Sequence, residues 1–227
     1  MAIITNALSH AANWVRKMRP KTIIMPSLTQ KNQLRPFMDN TQSPQALALV
    51  GMPGAGKTLC AKHLEERGFF QFRFGGIVVN EVSRRGWPVT PENERIVREQ
   101  FRRDEGMDAI ARRALPLLKA ALATHRSIVI DGLYSFSEYK TLRTELGAAM
   151  VVVAVVSTRD ERYRRLSGRS ERPLTPEEAE TRDHQEIETL EKGGPIAIAD
   201  YTLLNDGQPQ ELLAKLDALV EKLGLKP

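Results

Sequence analysis

The chain has 227 residues, enough for one domain with an appendage, and its 41% hydrophobic and 27% charged residues are ordinary for a globular protein. No apolar run approaches the length of a membrane span, the single cysteine, Cys60, excludes an internal disulfide, and no Cys/His cluster suggests zinc. The formal net charge of +5 resides wholly in residues 1–45, so the balanced remainder is not expected to hold nucleic acid in a stable complex.

That basic arm, residues 1–45, is the first predicted element. Arg16, Lys17, Arg19, Lys21, Lys31 and Arg35 are set against Asp39 alone. Leu8, Ala12, Val15 and Met18 follow helical spacing beside three of those charges. Three readings stand: a solvated flexible tail, an organelle transit peptide, or an upstream extension ahead of Met38. A reducing, cytoplasmic compartment fits the cysteine usage of the rest.

Residues 46–227 are expected to form one domain. Ala46–Val50 is a short apolar run suited to a buried parallel strand. Gly51–Thr58, Gly-Met-Pro-Gly-Ala-Gly-Lys-Thr, fits the G-x-x-x-x-G-K-[ST] phosphate-binding loop at every fixed position. Gly51, Gly54 and Gly56 let the backbone curl until its N–H groups point inward at an anion. Lys57 supplies a cation for the β- and γ-phosphates, and Thr58 a hydroxyl for magnesium. The loop hands the phosphates to the N-terminus of the next helix, whose free N–H groups favour negative charge. We therefore assign Gly51, Pro53, Gly54, Ala55, Gly56, Lys57, Thr58 and Leu59 to nucleotide binding. Leu59, His63 and Leu64 sit at helical spacing, and Gly68 closes that helix. Cys60, inside it, reads as a small buried side chain rather than a nucleophile.

Phe69–Phe74 reads as a second strand. Thr90-Pro91-Glu92 has the order of an N-cap, a proline at the first helical position and an acid in the first turn. The helical stretch that follows divides at Gly106. Its second part presents Met107, Ile110, Ala114, Leu117 and Ala121 on one face, with a kink expected at Pro116. Ser127–Asp131 is an apolar strand ending in a carboxylate. At such a strand end Asp131 can hold the magnesium shell or accept a proton from an attacking hydroxyl; a surface cap before Ser135 is the plainer alternative. Ala149–Val156 reads as a central strand.

Arg162, Arg164, Arg165, Arg169 and Arg172 then gather around Gly168. Lid arginines neutralise charge that builds between phosphoryl donor and acceptor, an effect on the order of 10³–10⁵ in rate. A solvated basic helix paired with Glu161 and Glu171 is the alternative. Arg162 and Arg164 project to different sides of a helix, so the arginines cannot all face one site; Arg165, Arg169 and Arg172, closest to the glycine-containing lid, are assigned to catalysis with Lys57 and Asp131. Thr175–Glu178 is a capping box, Tyr201–Leu204 a last strand, and Asn205-Asp206-Gly207 turns into a helix with Leu212, Leu213, Leu216, Leu219 and Val220 on one side. This alternation means an α/β fold: a parallel sheet with helices on both faces and ligands at the carboxyl ends of the strands.

Together the phosphate loop, Ile130-Asp131-Gly132, the arginines around Gly168-Arg169, and Ala199-Asp200-Tyr201 before Asn205-Asp206-Gly207 resemble the small P-loop kinases. The likeness runs to dephospho-coenzyme A kinase and to a group of nucleoside monophosphate kinase-like nucleotide kinases, and covers roughly residues 46–224. It implies a three-layer P-loop fold with a five-stranded parallel core, ATP as phosphate donor and magnesium as its metal. It implies a closing arginine lid, and adenine contacts at Asn205 and Gly207. Thr58 and Asp131 become the metal ligands. Two departures touch the acceptor: Phe74-Gly75-Gly76 stands where such kinases often carry an aspartate, and Gly132-Leu133-Tyr134-Ser135 follows Asp131 in place of a proline and leucines. A kinase needs an acceptor pocket, expected near Gly75, Gly76, Asn80, Glu81 and Arg84. An ATP-binding regulatory protein or ATPase without a small-molecule acceptor is the alternative. There is no guanine-binding Asn-Lys-x-Asp, and the chain is too short for a large motor ATPase.

Overall fold

A computed structural model describes residues 46–170 and 172–227, and the expectations for the basic arm lie outside them. The run Ala46–Val50 forms β1, the middle strand of a five-stranded, all-parallel sheet. The other strands are β2 (Phe70–Arg73), β3 (Ile128–Asp131), β4 (Met150–Val156) and β5 (Tyr201–Leu204), in the order β2-β3-β1-β4-β5. β1 shows why its sequence is apolar throughout. Ala46, Ala48 and Val50 join one core cluster while Leu47 and Leu49 join the cluster on the other face, so neither side of the strand meets water.

Helices cover both faces. α1 (Lys57–Glu66) follows β1, α2 (Gly75–Arg84) follows β2, and α3 (Pro91–Glu105) and α4 (Ala109–Thr124) lead to β3. α5 (Phe136–Leu146) joins β3 to β4, and α6 (Arg159–Ser167), α7 (Pro176–Glu188) and the short α8 (Gly193–Ala197) join β4 to β5. α9 (Pro209–Lys222) closes the chain. The three-layer parallel architecture expected from the alternation of strands and helices is the one observed.

Local signals held where side chains meet their own backbone. Thr90 accepts from the Asn93 amide at 3.2 Å and caps α3, and Thr175 and Glu178 form the reciprocal capping box of α7. Gly68 closes α1: its amide bonds to Glu65 O and that of Phe69 to Leu64 O. α4 includes Pro116, which is exposed and forfeits its N–H on the solvent side. Other expectations needed revision. Leu117 is half-exposed at 50%, and Leu118 takes the core position, four residues after Ala114. α2 carries no start signal, because it opens on Gly75-Gly76, yet Val78 and Val82 bury its inner face. α5 has a full capping box, Ser135 with Glu138, a helix start that the sequence reading did not pick out.

Candidate active site

The carboxyl ends of the strands surround a cavity of about 760 Å³. Parallel pairing sets Leu49 of β1 beside Asp131 of β3, so the phosphate loop and the strand-end carboxylate open side by side. Pro53, Gly54, Gly56, Lys57, Thr58, Leu59 and Asp131 all line the cavity, with Asn205, Asp206 and Gly207 on the β5 side. Gly51 and Ala55 are buried behind the loop. Two glycines there are steric requirements. A Cβ on Gly51, at φ 147°, would lie 2.3 Å from Val155 O, and one on Gly54, at φ 79°, 2.7 Å from Arg162 O.

The loop is held from outside as well as by its own turns. Arg162 is buried, donates to Pro53 O at 3.1 Å, and makes a bidentate pair with Asp183 of α7 at 2.9 and 2.6 Å. Asn205 is also buried, and its Nδ2 donates to Ala55 O at 2.8 Å. Its side chain thus grips the phosphate loop, alongside the adenine-side position the resemblance implied. Arg165 lines the cavity but is engaged: it donates to the Ser157 hydroxyl and Asn205 O, both at 2.9 Å, and pairs with Glu161. Arg169 is exposed on the cavity wall, while Arg172, at φ 52°, lies outside the lining.

Lys57 donates to Gly51 O at 2.7 Å and Met52 O at 3.1 Å, folded back on its own loop. Burial, reinforced by the nearby Lys192, pushes its ammonium down to about 7. Burial also raises the Asp131 carboxyl above the usual carboxylate range, against the pull of Lys57 and of Arg73. The Asp131 carboxylate accepts from Gln71 at 3.3 Å. Cys60 is buried and its thiol is pushed up to about 12, which suits packing and not nucleophilic chemistry.

Sequence patterns passed over a second group of cavity residues: Tyr134, Arg182 and Lys192. With Lys57, Arg164, Arg165 and Arg169 the lining carries six cations against three acids, Asp131, Glu161 and Asp206. Such a surface suits a polyanion. Arg182 and Lys192 lie on a helix and a loop of mixed charge, and nothing in their spacing marks them. Only the buried pairing of Glu186 to both reveals their orientation.

None of the residues expected near an acceptor is among those that line this cavity. Glu81 and Arg84 line a separate polar cleft of about 370 Å³ with Arg85, Gln100, Phe101, Asp104, Glu105 and Arg113, and Glu81 is bonded to Arg84 and Arg85 of its own helix turn.

Residues 47–190 match the family described as AAA domain, and the chain belongs to that family of P-loop proteins. Within it the chain belongs with the UPF0200 proteins. It is 34% identical to that of Thermococcus sibiricus over 183 residues, covering 79% of this chain and 96% of the relative. It is 36% identical to that of Thermococcus kodakarensis over 178 residues, covering 77% and 96%. The fold is similar to TT1252 from Thermus thermophilus, with a TM-score of 0.55 at 18% identity over 80% of this chain and 99% of the other. It is also similar to shikimate kinase from Acinetobacter baumannii, with a TM-score of 0.50 at 20% identity over 82% and 97%. Among the described residues no helix is long and apolar enough to cross a membrane.

Proposed function

We propose that the chain is an ATP- and magnesium-dependent phosphotransferase acting on a small nucleotide-like or phosphate-bearing acceptor, in the manner of the dephospho-coenzyme A and nucleotide kinases it resembles. The observation that carries this reading is the convergence of the phosphate loop, Thr58, Asp131 and the lid arginine Arg169 on one cavity. A binding module needs the loop alone. Lid charge that lines the cavity is of use when charge develops in a transition state.

The donor sits on the loop amides, and Lys57 turns from the Gly51 and Met52 carbonyls to its phosphates. The donor set fits magnesium. Among the described residues no three His, Cys, Asp or Glu side chains cluster as a metal cage, and magnesium needs only one or two protein groups besides phosphate oxygens and water. Thr58 and Asp131 would hold the ion, which would supply positive charge to the phosphates of the donor. An acceptor oxygen forms a bond to the γ-phosphorus as the bond to the bridging oxygen breaks. That oxygen departs with ADP. An acceptor hydroxyl gives its proton to Asp131, directly or through water, whereas an ionised acceptor phosphate oxygen has none to give. Arg169 faces the oxygens on which charge spreads, and Arg165 fixes the end of the loop while lining the same wall. Arg172 reaches them only if the segment after α6 closes.

One observation favours a second reading, an ATPase or ATP-dependent regulator without an acceptor. β2 runs through Arg73 and Phe74 straight into α2, so no carboxylate from that strand end enters the cavity. A screen of phosphate-bearing and nucleotide-like acceptors for ADP release above the acceptor-free rate separates the two. We expect one acceptor class to stimulate release. A flat response across the screen, with a steady basal rate, means the second reading is right.

A further inference from the structure

We propose that Lys192 is a second lysine of the nucleotide site, whose Nζ binds the terminal phosphoryl group of ATP from the α8 side, with Glu186 as its positioning residue. This rests on the nucleotide-binding reading above.

Lys192 caps the N-terminus of α8 and is only 3% exposed, yet it lines the cavity with Lys57, Thr58 and Asp131. Its stem does not run to bulk water, as surface lysines do. Glu186, buried in the last turn of α7, takes Lys192 Nζ on one carboxylate oxygen and Arg182 Nε, at 3.1 Å, on the other. One carboxylate therefore serves two cations, and the trio keeps one positive charge at the cavity wall. A buried pair that served only to join α7 to α8 would be complete without Arg182, and would carry no net charge.

The direction of that charge follows from Tyr134. Lys192 Nζ lies 4.8 Å from the centre of the Tyr134 ring, and Tyr134 is three residues beyond Asp131. Lys192 thus approaches the β3 end of the cavity, beside the carboxylate assigned to the reacting end of ATP. Lys57 lines the same cavity from the phosphate loop. Two ammonium groups that repel across a cavity are both stabilised when an anion enters between them. Burial lowers the Lys192 ammonium against the pull of Glu186, the penalty a buried cation bears until a ligand anion joins it. The α- and β-phosphates have the loop amides. The γ-phosphoryl lies beyond them, where both lysines reach.

The test compares dissociation constants for magnesium ADP and for magnesium β,γ-imido ATP, measured by titration calorimetry on the full chain. Wild type, Lys192→Met, Lys192→Arg and the double variant Lys192→Met/Glu186→Gln are used, the last so that the carboxylate oxygen facing position 192 is not left charged without its lysine. We expect ADP to bind within about twofold of wild type in all three variants. The ATP analogue should weaken about tenfold in both Met-containing variants and recover with Arg, so the preference for triphosphate falls about tenfold. An unchanged preference in both Met variants overturns the proposal. So does a parallel loss of ADP and analogue in both, since that assigns Lys192 to the scaffold. A wild-type protein that binds neither ligand overturns the nucleotide reading itself, and this inference with it.

Discussion

Two polar clefts of this molecule are both rich in arginine, yet they differ in charge balance. The small cleft between α2, α3 and α4 holds Arg84, Arg85 and Arg113 against Glu81, Asp104 and Glu105, three cations to three acids. Glu81 is bonded to Arg84 at 2.7 and 2.8 Å and to Arg85 at 2.7 Å, and Arg113 pairs with Glu105. The large cleft at the strand ends holds six cations to three acids. One of its lysines bonds only to loop carbonyls, and two cations share the single carboxylate of Glu186. A count of arginines does not separate the two clefts, whereas the surplus does. The neutral cleft satisfies itself and contributes to stability. The charged one is incomplete without an anion, and it holds a cost that a ligand removes.

The largest effect that can sharpen this contrast is at Asp131. Asp131→Asn should cut ADP release by roughly 10²–10⁴-fold, the range of a lost general base. Stability should hold or rise slightly, because burial already disfavours the carboxylate it removes. Nucleotide affinity should change little. Measuring turnover and melting temperature on the same preparation checks both halves. Normal turnover would reduce Asp131 to a cap, and a large fall in melting temperature would make it a structural residue like those of the small cleft.

Second in size is the buried pair behind the phosphate loop. Arg162 and Asp183 are each about nine-tenths buried, and Arg162 also holds Pro53 O. Asp183→Ala leaves that guanidinium without its partner and should cost about 3–5 kcal/mol in unfolding free energy. Nucleotide binding should weaken with it, because the loop loses an anchor. Denaturant unfolding with and without ADP tests this: if stability changes by less than about 1 kcal/mol, the pair is not a clamp.

Arg162 also shows how far the sequence could be read. The phosphate loop was legible because its chemistry is contiguous: eight residues, a strand before and a helix after. Asp131 was legible because an acid at the end of an apolar strand is conspicuous. The parallel sheet followed from the alternation of apolar runs with capped helices. Arg162 was different. Its spacing from Arg164 showed only that the two point apart, and its partner Asp183 lies on α7 among Glu177, Glu178, Glu180, Glu186 and Glu188, where no pattern singles it out. Lys192 and Arg182 were hidden for the same reason. Their roles depend on which way α7 and α8 turn toward the cavity, which is a tertiary fact. The short α8 and the glycine-led α2 lack the caps and apolar period from which a helix is read.

The smallest effect belongs to the neutral cleft, and it concerns pH. Hydrogen bonds from Arg84 and from Arg85 hold the Glu81 carboxyl down to about 2, against a usual value near 4.5. In the folded protein Glu81 therefore keeps its charge at pH values where the unfolded chain binds a proton. The stabilisation is present in full above pH 4.5 and is lost as the pH falls toward 2. Arg84 is 74% exposed, so solvent screens its share, and about 1–2 kcal/mol is expected in total. Glu81→Gln should lower stability at pH 7 by that amount and flatten the acid limb of the stability curve between pH 4.5 and 2. Nucleotide affinity should not change, since neither Glu81 nor its partners line the large cavity. Were Glu81→Gln instead to leave the acid limb intact while weakening an acceptor or a nucleotide, the small cleft would be a binding site too. Its charge balance would then be a resting state that a ligand opens, and the distinction between a self-satisfied cleft and an incomplete one would fail.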